Sequence, residues 1–317
     1  MDNTEAFLRV LEEFPEQVRE AARLWRGIRL KPFETIVICG MGGSGLPGEI
    51  VRSVVKDVPV ILVKDYTLPW FVDEKTLVFA VSYSGNTEET IELYNQAKKK
   101  HAQIVVVASG GELAALAMKD ELPLVLVPSG LQPRMAFAYQ TIPLLNILKV
   151  GCDWNRCAGF LEQERDEVKK LAHELAQLIG KRIPLIYSSA HFFPAAYKWK
   201  INFNENAKMH AFCNSFPEWN HNEINGYDSL NGHYLAFFLV DSDDHSRIAK
   251  RMTIVRKITE AKGVPVVSVN SKGTDFITRL FWTIWLGDLV SYYFAVSHGV
   301  DPLNVPVIED LKKELKK

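Results

Sequence analysis

Short apolar runs, mostly β-branched, recur along the first half of the chain at 35–39, 58–63, 77–81, 104–107 and 124–127. Runs of this kind suit parallel strands covered on both faces. Longer mixed segments separate them. One of these, 88–100, carries Thr90, Ile91, Leu93, Tyr94 and Ala97 on a mixed helical face. The first residues also read as helical, with Phe7, Leu8, Leu11, Phe14 and Val18 sharing a side. This βαβ rhythm predicts an open, doubly wound parallel sheet. After Gly151 a charged helix is expected over 160–179. Strand-like runs then return at 183–187, 234–240 and 264–269, and a helix after Asp275 closes the pattern. The reading is two α/β domains of similar build, 1–150 and 151–317.

Composition narrows the class. The chain has 317 residues, 47% hydrophobic and 24% charged, with a formal net charge of -1. Such a balance provides no global field for nucleic acid or a membrane surface, so an anionic substrate must be drawn by a local site. The 4 cysteines form no CxxC pair and suit a reducing compartment. The N-terminal stretch is acidic and amphipathic, unlike a signal peptide. Arg279 and Asp288 interrupt the most apolar helix candidate, 276–297, which therefore reads as a core helix. A cytoplasmic location is expected.

Two turns carry candidate chemistry. Gly40-Met41-Gly42-Gly43-Ser44-Gly45 fits the dinucleotide fingerprint, and Asp65 stands where a ribose-binding acid is sought. Pro47, and the absence of a group to meet a nicotinamide, weigh against an NAD-dependent oxidoreductase. The second turn, Ser82-Tyr83-Ser84-Gly85-Asn86-Thr87, ends the third strand and opens a helix. Helix N-termini present N–H donors and a positive dipole end. Hydroxyls from Ser82, Ser84 and Thr87 complete a set suited to a phosphate monoester. Thr87, or Asn86 before it, can cap the helix. No lysine follows in a GK[ST] pattern, so this is not a nucleoside-triphosphate loop. Taken alone, the turn supports phosphate binding, whether in an enzyme or in a non-catalytic sugar-phosphate sensor.

The two turns together resemble the SIS (sugar isomerase) domain. With Gln132-Pro133-Arg134, Asn204-Glu205-Asn206-Ala207-Lys208, Asn220-His221-Asn222-Glu223 and Ile308-Glu309-Asp310-Leu311-Lys312, the chain resembles the bifunctional phosphoglucose/phosphomannose isomerases. These belong to the phosphoglucose isomerase superfamily. The resemblance implies two SIS-type, flavodoxin-like domains and aldose–ketose isomerisation of glucose 6-phosphate or mannose 6-phosphate with fructose 6-phosphate through a cis-enediolate. It implies a base at Glu205, oriented by Asn204 and Asn206, an enediolate stabiliser at Arg134, and ring-opening groups at His221 and Lys312. It places the phosphate at Ser82, Ser84 and Thr87, with further substrate contacts at Gly42, Gly43 and Ser44. It also implies a homodimer in which His221 serves the neighbouring subunit's site. No cofactor is expected. No histidine pair has helical ligand spacing, so no metal is expected either. Two departures stand out. Trp219 precedes Asn220-His221 where an aliphatic residue is usual. Leu303-Asn304 follows Val300-Asp301-Pro302 where a threonine is frequent, which leaves the epimer range open.

Overall fold

A computed structural model describes residues 3–315. The chain divides into two compact units: Glu13–Glu162, and Met1–Glu12 together with Gln163–Lys317. The sequence-based division at 150/151 differs from this at both ends, for local reasons. The N-terminal segment forms two helices, α1 (Asn3–Glu12) and α2 (Phe14–Ala21), where one was expected. Pro15, in the first turn of α2, suits a fresh helix start. Phe7 of α1 stacks on Tyr292, and the Leu11 carbonyl accepts from Trp285 Nε1 at 2.7 Å. So α1 belongs with the C-terminal unit.

The Glu13–Glu162 unit holds β1 (Thr35–Cys39), α3 (Leu46–Val54), β2 (Val60–Val63), β3 (Thr76–Val81), α4 (Glu88–Lys99), β4 (Gln103–Ala108), α5 (Gly111–Lys119), β5 (Leu124–Leu126) and α6 (Phe137–Ile147). The sheet is wholly parallel, in the order β2-β1-β3-β4-β5. Every residue of β3 is buried, as its unbroken apolar run requires. The order reverses between β1 and β3, and the crevice at their carboxyl ends is where doubly wound sheets bind ligands. After α6 comes α7 (Trp154–Gln163), whose Trp154 Nε1 donates to Asn146 Oδ1 at 2.7 Å. That bond, with the Arg19–Glu162 ion pair, draws residues beyond 150 into this unit.

The expected helix over 160–179 is instead the end of α7 and a separate α8 (Arg165–Ile179). There follow β6 (Ile183–Ser189), α9 (Phe193–Glu205), β7 (Phe212–Phe216), β8 (Tyr234–Val240), α10 (Ser246–Ala261), β9 (Val266–Asn270), α11 (Phe276–Ser297) and α12 (Pro306–Glu314). This second sheet is also parallel, in the order β7-β6-β8-β9. The expected helix over 276–297 is present as α11, and 18 of its 22 residues are buried, so it is a core element with no free face. The edge strand β7 has no counterpart in the hydropathy reading. Its sequence, Phe-Cys-Asn-Ser-Phe, is half polar and five residues long. Among the described residues no helix is long and apolar enough to cross a membrane.

Candidate active site

The phosphate turn sits where the fold favours ligands, on the carboxyl end of β3. Gly85 has φ +68°, and a Cβ there would lie 1.8 Å from the Gly110 carbonyl oxygen, so no other residue fits. The turn is braced from α5: Leu113 N–H donates to Gly85 O at 2.8 Å, and Glu112 N–H to Asn86 Oδ1 at 3.0 Å. Asn86 therefore serves α5, not α4. Thr87 occupies the N-cap position of α4, but its side chain makes no capping bond. Its hydroxyl instead lies 2.8 Å from Ser82 Oγ. The α4 N-terminus thus takes no side-chain cap from Thr87, and a hydroxyl pair stands beside it. Ser84 is exposed at the rim.

The glycine turn is packed against the segment carrying Arg134. A Cβ on Gly43 would come within 2.9 Å of the Arg134 backbone nitrogen. Arg134 itself is only 2% exposed. Ser44 is buried, and its hydroxyl faces inward: it donates to Gln140 Oε1 at 2.6 Å and accepts from Tyr83 N–H at 3.1 Å. Gln140 Nε2 donates to the Pro133 carbonyl at 2.8 Å. Tyr83 makes a second link, since its hydroxyl donates to Pro128 O at 2.8 Å and accepts from Leu131 N–H at 2.9 Å. Burial raises the Tyr83 pKa, and the Leu131 N–H opposes that rise, so the phenol stays protonated. Asp65, the acid of the dinucleotide reading, accepts from its neighbour Tyr66 N–H at 2.7 Å in a local turn.

In the C-terminal unit Glu205 is the last residue of α9. Lys198, Asn202 and Asn206 form a buried polar stripe on this helix at four-residue spacing. Lys198 pairs with Asp288 of α11, Asn202 Nδ2 donates to Asp288 Oδ1 at 2.6 Å, and Asn206 Nδ2 to Ser291 Oγ at 2.9 Å. Trp199 Nε1 adds a bond to Thr283 O at 2.8 Å. The helix end bearing Glu205 is therefore locked onto α11. The two flanking asparagines each have a structural bond of their own. Asn204 Nδ2 donates to Met209 O at 2.9 Å, and Asn206 serves α11. Glu205 lines a cavity of about 680 Å³ with Lys200, Lys208, His210, Val305 and Ile308. Nearby in the chain, the Asp301 carboxylate accepts from Leu303 N–H at 2.8 Å and Asn304 Nδ2 at 2.6 Å. Burial would raise the Asp301 pKa, but these donors hold it below the usual carboxylate range. Leu303-Asn304 is thus a structured turn.

His221 ends a short 3-10 turn, Glu218–His221, and is exposed. Beneath it Trp219 is fully buried and stacks on Tyr187 with centroids 4.3 Å apart. Glu223 accepts from Tyr187 Oη at 2.5 Å and from Asn214 Nδ2 at 2.8 Å. Burial first, then neighbouring Tyr227 and Glu223, pushes the Tyr187 phenol far up, so it acts as a donor. The histidine loop is pinned on both sides of His221. Lys312 lies in the last turn of α12, a helix with no buried residue, and its neighbour Lys313 pairs with Asp310 at 3.0 Å.

Several supports escaped the sequence reading. Gln140 carries a legible signal, a side-chain amide in the apolar helix Phe137–Ile147. Lys198 and Asp288 give a similar one, as charges on otherwise buried helices. Glu223 stands within the Asn220–Glu223 motif, but its bonds to Tyr187 and Asn214 gave no signal. Among the described residues no group of three His, Cys, Asp or Glu is placed to hold a metal ion.

Comparison with known proteins identifies the family. The SIS domain matches residues 30–120, and the bacterial phospho-glucose isomerase C-terminal SIS domain matches residues 166–315. A bifunctional phosphoglucose/phosphomannose isomerase of Thermoplasma volcanium is 39% identical over 311 residues, covering 96% of this chain and 99% of that one. The chain belongs to the bifunctional phosphoglucose/phosphomannose isomerase family. A D-glucosamine-6-phosphate 4-epimerase of Sulfolobus acidocaldarius is 36% identical over 219 residues, 68% of this chain and 71% of that one. Among solved structures, tagatose-6-phosphate ketose/aldose isomerase of Escherichia coli superposes with a TM-score of 0.73 at 14% identity, covering 96% of this chain and 95% of that one. That likeness shows the SIS fold. Within this isomerase family the Ser82–Thr87 turn and the Glu205 helix end belong to different SIS domains of one chain.

Proposed function

We propose that this protein is a metal-independent sugar-phosphate isomerase that interconverts glucose 6-phosphate and mannose 6-phosphate with fructose 6-phosphate. The observation that carries this reading is the full-length likeness to enzymes of that name, at 39% identity over 311 residues. The geometry of each unit supports it. Ser82, Ser84, Thr87 and the α4 N-terminus hold the phosphate, with the Gly42-Gly43-Ser44 turn shaping the same edge. Remote anchoring of this kind positions the reacting carbons. Glu205, on a helix end locked by buried bonds, takes the proton from C2 and returns it at C1. A positioned base of this kind contributes about 100- to 10,000-fold. Arg134 keeps its charge and stabilises the enediolate oxygen. His221 and Lys312 pass protons during ring opening, His221 from the second subunit of a homodimer. Engagement of Lys313 by Asp310 favours Lys312 for that task.

A coupled assay of the purified protein in EDTA decides the matter. Turnover of either aldose phosphate is expected, and no turnover of both sinks the reading. Activity lost on chelation removes its metal-free mechanism. Glucosamine 6-phosphate belongs in the same assay, because the epimerase relative shares two thirds of the chain. Glu205→Gln should lower kcat by about 1,000-fold with little change in substrate binding. Near-normal turnover would remove Glu205 from its role.

A further inference from the structure

We infer that Gln140 is a positioning residue that ties the phosphate turn to the Arg134 segment through one side-chain amide. The inference rests on the isomerase reading and adds a residue which that reading does not use. Gln140 is fully buried in α6, among apolar neighbours, where an unpaired amide would be costly. Both of its ends are satisfied, and each by a part of the site. Its Oε1 accepts the Ser44 hydroxyl proton at 2.6 Å, and Ser44 Oγ in turn accepts Tyr83 N–H at 3.1 Å, inside the phosphate turn. Its Nε2 donates to Pro133 O at 2.8 Å, the peptide immediately before Arg134, and more weakly to Ala136 O at 3.4 Å.

The polarity of this relay is determined. Tyr83 N–H can only donate, so the Ser44 proton must go to Gln140, and Pro133 O can only accept. An amide of glutamine length provides an acceptor and a donor on one rigid plane. A carboxylate keeps the Ser44 bond but loses the donor to Pro133. A methionine of similar size loses both. The two arms can therefore be cut separately, Ser44→Ala on the phosphate side and Gln140→Glu on the arginine side.

The test measures kcat and KM with the aldose phosphate, and inhibition by inorganic phosphate, for wild type, Ser44→Ala, Gln140→Glu, Gln140→Met and Ser44→Ala/Gln140→Met. Melting temperatures establish that each is folded. Ser44→Ala should weaken phosphate inhibition and raise KM by about fivefold to tenfold, with the smaller effect on kcat. Gln140→Glu should do the reverse, lowering kcat by at least about tenfold while phosphate inhibition stays near wild type. In the Gln140→Met background, Ser44→Ala should weaken phosphate inhibition by less than it does in wild type, because one of the two bonds it removes is already gone. Proportional changes of kcat and KM in both single variants, or additive effects in the double variant, overturn the inference. Should the Gln140 variants fail to fold, Ser44→Ala decides alone, and unchanged phosphate inhibition overturns it. An inactive wild type is a failure of the isomerase reading, seen in the same experiment as a separate result.

Discussion

The turn after β3 and the turn after β8 occupy the same place in two similar sheets, yet their chemistry is opposite. Each follows the strand beside the first-formed one, at the carboxyl edge where a doubly wound sheet reverses its order. The first turn is lined by Ser82, Ser84 and Thr87, which are neutral hydroxyls. The second is Asp241-Ser242-Asp243-Asp244, and the Asp241 carboxylate turns inward. Asp241 accepts from Arg279 Nε at 2.7 Å, Arg279 Nη2 at 3.2 Å, Ser271 Oγ at 2.7 Å and Asp243 N–H at 3.2 Å. Arg279 also pairs with Asp243. Burial would raise the Asp241 pKa, but the Arg279 and Ser271 bonds outweigh it and hold the carboxyl below its usual range. The shared architecture supplies a position, and the lining decides its use. Hydroxyls place no charge at the first edge, whereas the Asp241–Arg279 pair closes the second into an internal network.

The largest effect should come from opening that closed network. Arg279→Met leaves the Asp241 side chain, which has no exposed surface, without its cation. A loss of about 3–5 kcal/mol is expected from urea unfolding. If the stability barely moves, the acidic turn is not structural. Next is the reverse conversion, Ser84→Asp, which makes the first turn resemble the second. Like charges facing each other cost several kcal/mol, so phosphate affinity should fall by about 100-fold with melting temperature unchanged. Calorimetry with inorganic phosphate reads this directly, and retained affinity would detach the phosphate from this turn. A smaller change follows from Ser82→Ala, which deletes one member of the hydroxyl pair. About 1 kcal/mol, near fivefold in KM, is expected. An equal effect on kcat and none on KM would count against an anchoring role.

The smallest effect is that of pH. Because folding depresses the Asp241 pKa, its contribution is complete above the unfolded value of about 3.9 and is lost as pH falls through the folded value. Wild type should therefore destabilise more steeply than Arg279→Met between neutral pH and about pH 3. Parallel thermal melts of the two proteins across that range check the sign. Parallel curves would mean that the Arg279 bonds do not set the depression.

Much of the first sheet is legible because its cause is local. Strands buried on both faces need unbroken apolar runs, and β1, β3 and β4 have them. The phosphate turn is legible for the same reason, since hydroxyls, a glycine and a helix start are neighbours in the chain. Edge strand β7 needs apolar residues only in part, so Phe212–Phe216 carries little pattern. The junction at Glu13 is also faint. One proline marks it, yet it assigns α1 to the C-terminal unit through contacts with Tyr292 and Trp285, some 280 residues away.

Residue order alone determined the parallel-strand rhythm and the two-part α/β organisation, and a family resemblance carried by that order named Ser82–Thr87, Arg134, Glu205 and His221 as candidates. Tertiary structure alone decided what holds them. The Ser44–Gln140–Pro133 relay, the Lys198–Asp288 lock beneath Glu205 and the Tyr187–Glu223–Asn214 clamp beside His221 each include a bond between positions well separated in the chain. A hydrogen bond between distant residues leaves no periodicity, only an isolated polar side chain in an apolar stretch. The partner of such a side chain is set by which elements pack together, and that packing is fixed by the burial of the whole core.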